Sequence, residues 1–560
     1  MALALQAKIE HLDLEIVTQL KKSKTNDLSF AFGGGVGAFG NNFSLFHESD
    51  TTIWVDCGIG FSNHQTPGLR KKLPNIELME VYKPTAIVLT HGHEDHIGAI
   101  IHIIDFIPPN TTFYLSKFTY SLLREKMDDN QVTHSQFNYE IIQRNNCIKI
   151  NHFEVSFFFM PHSIPQAFSL GLYSNKSKKK LYFTSDFKTQ GDEPRFNKKD
   201  IEKYAPVDYL FCDSTGSLAQ GKSPNESDII FNIGQIIKDT PNRIFITTFS
   251  SQITRLSSIV KIAEEQNRPI GIIGYSIKAH LNAAFTANEF HIDPSSFNNP
   301  SPRNKNAIWL VAGCQADGNS SFSKLVRGEK GRFQIGEGDT LLYSGSMIPG
   351  NEEAIFHALN TLSYNGVRII GIDQSDLKIH ASGHGKQQDI LQLLKWLKPK
   401  TVVPVHGDAI HFDAFENIIS SEKIKTSIFK ASKNSVFRIE KHNISKIEFD
   451  FELKNLYMEE KEIHHDDLMY SRRISLNENG MCIVVIDKKN FSLVGLNYVA
   501  VVSQKLLEMF LPKLKEEIAT TAKKIFNSAS SRKDKRLKDK IYRINRQSLG
   551  KNPFVELILI

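Results

Sequence analysis

The hexapeptide His91-Gly92-His93-Glu94-Asp95-His96 follows directly on the apolar run TAIVLT. A short apolar run bounded by polar residues reads as a buried β-strand, and open sheets place their chemistry at strand ends. Four side chains able to bind metal therefore leave one strand end within six positions. Packing three imidazoles together without a ligand would leave polar nitrogens unmet, so the pattern points to metal. His91 and His93 can face one ion. Asp95 and His96, turned aside by the loop and the entering helix, can face a second.

Two ions need more ligands than one loop supplies, and other strand ends offer them. EVSFFFMPH ends at His162, KKLYFTSDF contains Asp186, and TVVPVHGD contains His406. The arrangement gives one ion His91, His93, His162 and Asp186, and the other Asp95, His96, His406 and the same Asp186, whose carboxylate bridges. Nitrogen and oxygen donors without thiolate suit zinc, and manganese also fits. Five scattered cysteines with no C-x-x-C pair give neither a disulfide framework nor a thiolate zinc knuckle. A reducing, cytoplasmic setting is expected.

The 560 residues are too many for one core, and 41% hydrophobic with 23% charged residues is an ordinary globular composition. The opening MALALQAKIEHLDLEIVTQLKK is interrupted by Glu10, Asp13 and Glu15, so it reads as an amphipathic helix, unlike a signal-peptide core. No window approaches a membrane span, and no membrane partner is expected. LSFAFGGGVGAFGNNFSLF and TTIWVDCGIGF read as strands separated by glycine turns. From Val207 strands alternate with helices, as in a parallel α/β unit, and HASGHGKQQDILQLLKWLKPKTVVPVHGD returns to the first pattern.

Taken in order, these motifs resemble the metallo-β-lactamase superfamily, and the insert before His406 resembles its nucleic-acid-processing β-CASP branch. Asp56 in WVDCGIGF matches the aspartate that supports the histidine loop, and Asp213 in FCDSTGS matches the first β-CASP motif. His384 matches the second and His406 the third. GGVGAFGNN, TTFSSQITRL, SMIPGNE, HASGHG and NPFVELILI extend the likeness to the ribonuclease J family over nearly the whole chain. Departures are Ala38 and Phe39 where the family usually has Glu and Ile, Tyr275 where arginine is common, and Cys314 within AGCQAD in place of GSQGE. They fall where nucleic acid should run.

The resemblance implies an αββα metallo-β-lactamase sandwich with an inserted β-CASP α/β domain and a small C-terminal α/β domain. The expected bounds are 1–24 for an N-terminal helical extension, 25–206 and 361–440 for the two parts of the sandwich, 207–360 for the insert, 441–454 for a linker and 455–560 for the C-terminal domain. It implies two divalent ions per chain and hydrolysis of RNA phosphodiesters, with endonuclease and 5′-to-3′ exonuclease action in RNA processing and decay. Single-stranded RNA with a 5′-monophosphate would be the preferred partner, the chain acting as a homodimer or homotetramer with other RNA-decay proteins. Two neighbouring ions suit in-line phosphoryl displacement. Asp95 would orient the attacking water, and His384, at a helix start, would bind the scissile phosphate or protonate the leaving oxygen. Ser250, Ser251, His380, Ser382, Gly383 and His384 would line the phosphate pocket.

A small-molecule hydrolase of the superfamily would not need the 220 positions between Asp186 and His406. A DNA-directed β-CASP nuclease, or a catalytically weak RNA-binding subunit, stands as the alternative. Finally, Lys513 to Lys551 holds 13 basic and 4 acidic residues, a localised positive charge that suits a solvated helix or a phosphate-contacting face.

Overall fold

A computed structural model of the chain describes residues 12–560 apart from 62–70, 192, 298, 330, 332, 349, 372–377, 442, 450, 452, 454–455, 460–461, 465–466, 503 and 529–531. The described residues form two compact units, one within 12–458 and the other within 459–560.

The larger unit is built on two facing sheets. The first has eight strands, in the order Asn443–Lys446, Ser435–Glu440, Ser29–Gly34, Phe43–Glu48, Thr51–Val55, Ala86–Leu89, Thr112–Leu115 and Asn138–Ile141. The second has seven, in the order Ser427–Ile428, Thr401–Val405, Tyr209–Asp213, Lys180–Phe183, Phe168–Ser174, Phe153–Phe159 and Cys147–Ile150. Strand Phe153–Phe159 shows why they stack: Phe153, Val155, Phe157 and Phe159 alternate with more exposed residues, so one face is apolar. Aromatic rings fill the space between the sheets, Phe211 lying 5.0 Å from Phe30 and 5.1 Å from Phe46 in edge-to-face contacts. Helix Gln387–Leu397 closes the outer side of the second sheet, with Leu393, Leu394 and Trp396 against Tyr182 and Leu210. Helices Leu14–Ser23 and Ile76–Val81 pack together, and Trp54 of the first sheet donates its indole N–H to the Tyr82 carbonyl beside them, at 2.7 Å. The αββα layering is as expected. The expected helix at the N-terminus begins, among the described residues, at Leu14; residues 1–11 lie outside them.

Between Asp213 and His406 the chain leaves the second sheet and builds a third. Its five strands are all parallel, in the order Ile270–Ile273, Ile308–Val311, Ile244–Thr248, Thr340–Ser344 and Arg368–Ile370. Trp309, Phe245 and Leu341 anchor its core. Exit and return pass side by side, Gly216 bridging Lys386.

Three strands lie across the expected domain bounds. Tyr209–Asp213, expected in the insert beginning at 207, sits in the second sheet between Lys180–Phe183 and Thr401–Val405. Arg368–Ile370, expected in the resumed sandwich from 361, is an edge strand of the third sheet. Tyr209–Asp213 is buried throughout, and such parallel strands are apolar whichever sheet they join; Arg368–Ile370 is a short, partly exposed edge strand, and neither sequence says where the strand docks. Likewise Leu456–Met458, expected in the C-terminal domain, pair with Lys71–Leu73 in the larger unit.

The smaller unit has a three-stranded sheet. Met481–Ile486 lies between antiparallel Leu493–Val499 and parallel Phe554–Leu559. Helices Gln504–Phe526 and Lys533–Leu549 complete its core through Leu514, Ile518, Leu537 and Ile541. Among the described residues no helix is long and apolar enough to cross a membrane.

Candidate metal centre

Strand Ala86–Leu89 delivers Thr90 and His91 to the rim of the first sheet, and His93 caps the short helix Glu94–Ile97. Asp56, at the end of the neighbouring strand, holds this turn in place. Its carboxylate accepts the Thr90 N–H at 2.8 Å, the Thr90 hydroxyl at 2.8 Å and the His96 Nδ1–H at 2.7 Å. The next turn is packed so closely that a Cβ on Gly58 would fall 1.6 Å from the Asp95 carbonyl oxygen, so only glycine fits. His162 follows strand Phe153–Phe159, Asp186 follows Lys180–Phe183, Asp213 ends Tyr209–Asp213 and His406 follows Thr401–Val405. Four strands of the second sheet thus aim donors at one turn of the first.

The donors meet in three overlapping groups, two made of the expected ligands alone and a third that joins Asp186 and His406 to Asp213 and His384. His91, His93, His162 and Asp186 bring one ligand atom each within 4.8 Å of one another. His93 Nδ1 lies 3.0 Å from His91 Nε2 and 3.1 Å from His162 Nε2, and Asp186 Oδ2 is 3.5 Å from His162 Nε2. The outer ring nitrogens are engaged elsewhere: His162 Nδ1 donates to the Gly383 carbonyl at 2.8 Å, and His93 Nε2 meets the Ser251 hydroxyl at 3.0 Å. A donating Nδ1 leaves lone-pair density on Nε2, aimed inward, as outer partners do in metal sites. Asp95, His96 and His406 form the second group. His406 Nε2 is 3.2 Å from Asp95 Oδ2, and His96 Nε2 is 3.4 Å from Asp186 Oδ2. Asp186 therefore stands between the groups, with Oδ1 buried and lacking a hydrogen-bond partner.

Charge makes the same case. Burial pushes His91 and His162 well below imidazole's ordinary range and His93 down to about 4, leaving three neutral rings. Around the other group burial is outweighed: Asp186, Asp95 and Asp56 hold His96 well above its ordinary value, and Asp186 and Asp213 do so for His406. Four enclosed carboxylates thus call for positive charge, which divalent cations fit in place of protons. The donor set and its geometry suit two such ions.

His384 Nδ1 is 2.8 Å from Asp213 Oδ2, and its Nε2 is 3.8 Å from Asp186 Oδ2, about as near as His91 Nε2 at 3.7 Å. By position His384 serves equally as a ligand or as a group beside the metals. The other residues expected in a phosphate pocket separate. Ser251 reaches the centre through His93, and Gly383 through His162. Ser382 Oγ caps the His384 N–H at 3.2 Å. Ser250 is instead bonded to Ser276, and His380 Nδ1 accepts from Arg255 at 3.1 Å.

Several residues at the centre escaped the sequence reading. Asn42 donates its amide to Asp95 Oδ2 at 3.1 Å and touches His96 Nε2 at 3.0 Å. Thr215 and Ser185 bond His406 Nδ1 and Thr90. The signal for Asn42 was the glycine-rich loop that carries it, which reads equally as a turn. Of the departures, Phe39 sets its ring edge-on to His411 at 4.9 Å, Tyr275 bonds Glu125 and Asp129, and Cys314 is buried in the third-sheet core.

Known proteins share this layout. Residues 51–238 match the family described as Beta-lactamase superfamily domain, 241–362 match Ribonuclease J, beta-CASP domain, and 377–429 match Zn-dependent metallo-hydrolase RNA specificity domain. Ribonuclease J of Sinorhizobium meliloti is 31% identical over 420 residues, covering 70% of this chain and 72% of that protein. Ribonuclease J of Mycoplasma pneumoniae is 27% identical over 492 residues, 84% of each chain. A crystal structure of a protein of unknown function from Enterococcus faecalis superposes with a TM-score of 0.53 at 15% identity, over 74% of this chain and all of that one. That likeness concerns the fold alone. With the two donor groups, the inserted parallel sheet and the S. meliloti match all agreeing, the chain belongs to the ribonuclease J family of β-CASP metallo-hydrolases.

Proposed function

We propose that the chain is a metal-dependent ribonuclease that cuts RNA phosphodiester bonds both internally and from the 5′ end in the 3′ direction, in RNA processing and decay. The observation that carries this reading is the convergence of His91, His93, Asp95, His96, His162, Asp186 and His406 on two adjoining donor groups, with Ser251 of the inserted domain touching His93. An insert that meets the metal centre suits a polymer substrate. The relatives are named for RNA hydrolysis, and one matched family is described as Zn-dependent, which supports RNA and zinc.

His91, His93, His162 and Asp186 would hold one ion, and Asp95, His96, His406 and Asp186 the other. When bound, such ions supply the charge that acidifies water and neutralises phosphoryl oxygens. The remaining work falls to the protein. Asp95, the least enclosed of the carboxylates with its side chain 22% exposed, orients the attacking water through Oδ2. Asp213 holds His384 by Nδ1, so that Nε2 is free to bind the scissile phosphate or protonate the leaving oxygen. Ser251 and the Ser382–His384 turn form the side of the pocket proposed to receive a 5′-monophosphate.

The test is digestion of end-labelled 5′-monophosphate RNA, and of matched DNA, by the metal-analysed protein. RNA-selective cutting that His93→Ala abolishes is expected. DNA cut as fast as RNA, or full activity in that variant, would overturn the reading. Equal exonuclease rates on 5′-monophosphate and 5′-hydroxyl RNA would remove the end pocket.

A further inference from the structure

The chain's net charge of +7 sits in one place. From Arg532 to Lys551 there are nine basic and two acidic residues, leaving fifty-nine of each sign in all the rest. Most of this segment is the helix Lys533–Leu549 of the smaller unit. Its apolar residues Leu537, Ile541, Ile544 and Leu549 are buried in that unit's core, and this fixes how the helix is rotated. The opposite face carries Lys535, Arg536, Lys540, Arg543 and Arg546, all exposed. At 1.5 Å per residue, these five extend over about 16 Å.

One acidic residue shares this face: the exposed Asp539, four positions from both Lys535 and Arg543, offsets part of its charge. Lys538 approaches Glu556 at 3.8 Å and Lys533 bonds the Phe526 carbonyl, but among the described residues none of the five forms an ion pair. Arg536, Lys540, Arg543 and Arg546 follow one another at spacings of four, three and three, where like charges repel on a helix. Lys533, Lys535 and Arg536 also lie in the first turn, against the helix dipole. Asp534 in the first turn and Asp539 relieve only part of this, since two carboxylates face nine basic residues from Arg532 to Lys551. A membrane surface is a poor match, because the apolar side that would enter lipid is already buried. A polyanion is a good one, since each neutralised phosphate releases counterions.

We propose that the exposed face of helix Lys533–Leu549 is an RNA-binding surface, separate from the metal centre, that grips the phosphates of single-stranded RNA through Lys535, Arg536, Lys540, Arg543 and Arg546. It rests on RNA being the substrate. The interaction is sequence-independent and salt-sensitive.

The experiment compares the full chain with the quadruple variant K535Q/R536Q/K540Q/R543Q, in which glutamine keeps helix propensity. Binding of a fluorescein-labelled, unstructured RNA is read by anisotropy across a salt series, with EDTA present to prevent cutting. The variant should bind at least tenfold more weakly. Its log–log salt slope should be shallower by about 3, at roughly 0.7 per lost phosphate contact on a single strand. Hydrolysis of bis(p-nitrophenyl) phosphate, which reads the metal centre alone, and the circular dichroism spectrum should not change. An unchanged affinity and slope would overturn the proposal. So would a variant that changes sedimentation while binding RNA normally, which would make the face a contact between copies. The nuclease reading fails by a different sign: RNA bound by the metal-loaded chain but left uncut.

Discussion

His162 donates its Nδ1–H to the carbonyl of Gly383, 2.8 Å away and 221 positions later in the chain. That bond ties the loop returning from the inserted domain to a member of the first donor group. Gly383 must be glycine for this contact, because a Cβ there would lie 2.5 Å from both His162 Cε1 and Ser163 Oγ. Gly383→Ala should therefore push the imidazole out of line while the backbone keeps its ordinary conformation. Lost outer-partner support typically lowers metal affinity 10–100-fold. Zinc retention against a competing chelator should fall by that factor with the circular dichroism spectrum intact, and full retention would show the contact to be incidental.

His384 separates two roles that distance does not. Its Nε2 is 3.8 Å from Asp186 Oδ2, yet its Nδ1 is committed to Asp213. As a general acid or phosphate-binding group it would contribute about 10²–10⁴ in rate. His384→Ala should lose activity by that order and keep two equivalents of metal by elemental analysis. If metal leaves with the side chain, His384 belongs among the ligands.

Four of the donors that could be read from the sequence share one trait: each stands where an apolar run stops. His91, His162, Asp186 and His406 all do so, and buried strands with polar ends are the plainest pattern a sheet leaves in sequence. Docking partners leave no such trace. Tyr209–Asp213 is an apolar run like its neighbours and Arg368–Ile370 a short strand behind an exposed arginine, and only tertiary packing decides which sheet each joins. Polar groups that support a donor from a distance are equally silent about that role. Ser251 and Gly383 are expected at a phosphate pocket, and only folding sets them against His93 and His162; Thr215, which meets His406, looks like a turn former.

Asn42 belongs to the same silent class and carries a sharper expectation. Its amide contacts Asp95 Oδ2 and His96 Nε2, and its backbone N–H bonds the Asp95 carbonyl at 3.0 Å. All of this bears on the second donor group and none on His91, His93 or His162. In calorimetric titration with zinc, Asn42→Leu should weaken one of two binding events by about 10–100-fold and leave the other. Equal weakening of both events would mean that the loop acts on the fold as a whole.

Arg255 looks in sequence like an ordinary surface residue of the helix Ile253–Glu265, yet it is fully enclosed. It pairs with both oxygens of Glu226, at 2.6 and 2.8 Å, and reaches Thr248 and Ser344, at the ends of the central strand of the third sheet and its neighbour. It also meets His380, and burial together with this guanidinium pushes that imidazole down to about 3. One cation thus fastens the inserted sheet to the turn that carries Gly383 and His384. Removing one partner of such a pair strands the other charge, at about 3–5 kcal/mol. Arg255→Met should therefore be strongly destabilising in urea unfolding, and Arg255→Met with Glu226→Leu much less so, because no buried charge is left unpaired. A double variant as unstable as the single one would show that the hydrogen bonds to Thr248, Ser344 and His380, rather than the ion pair, hold the insert in place.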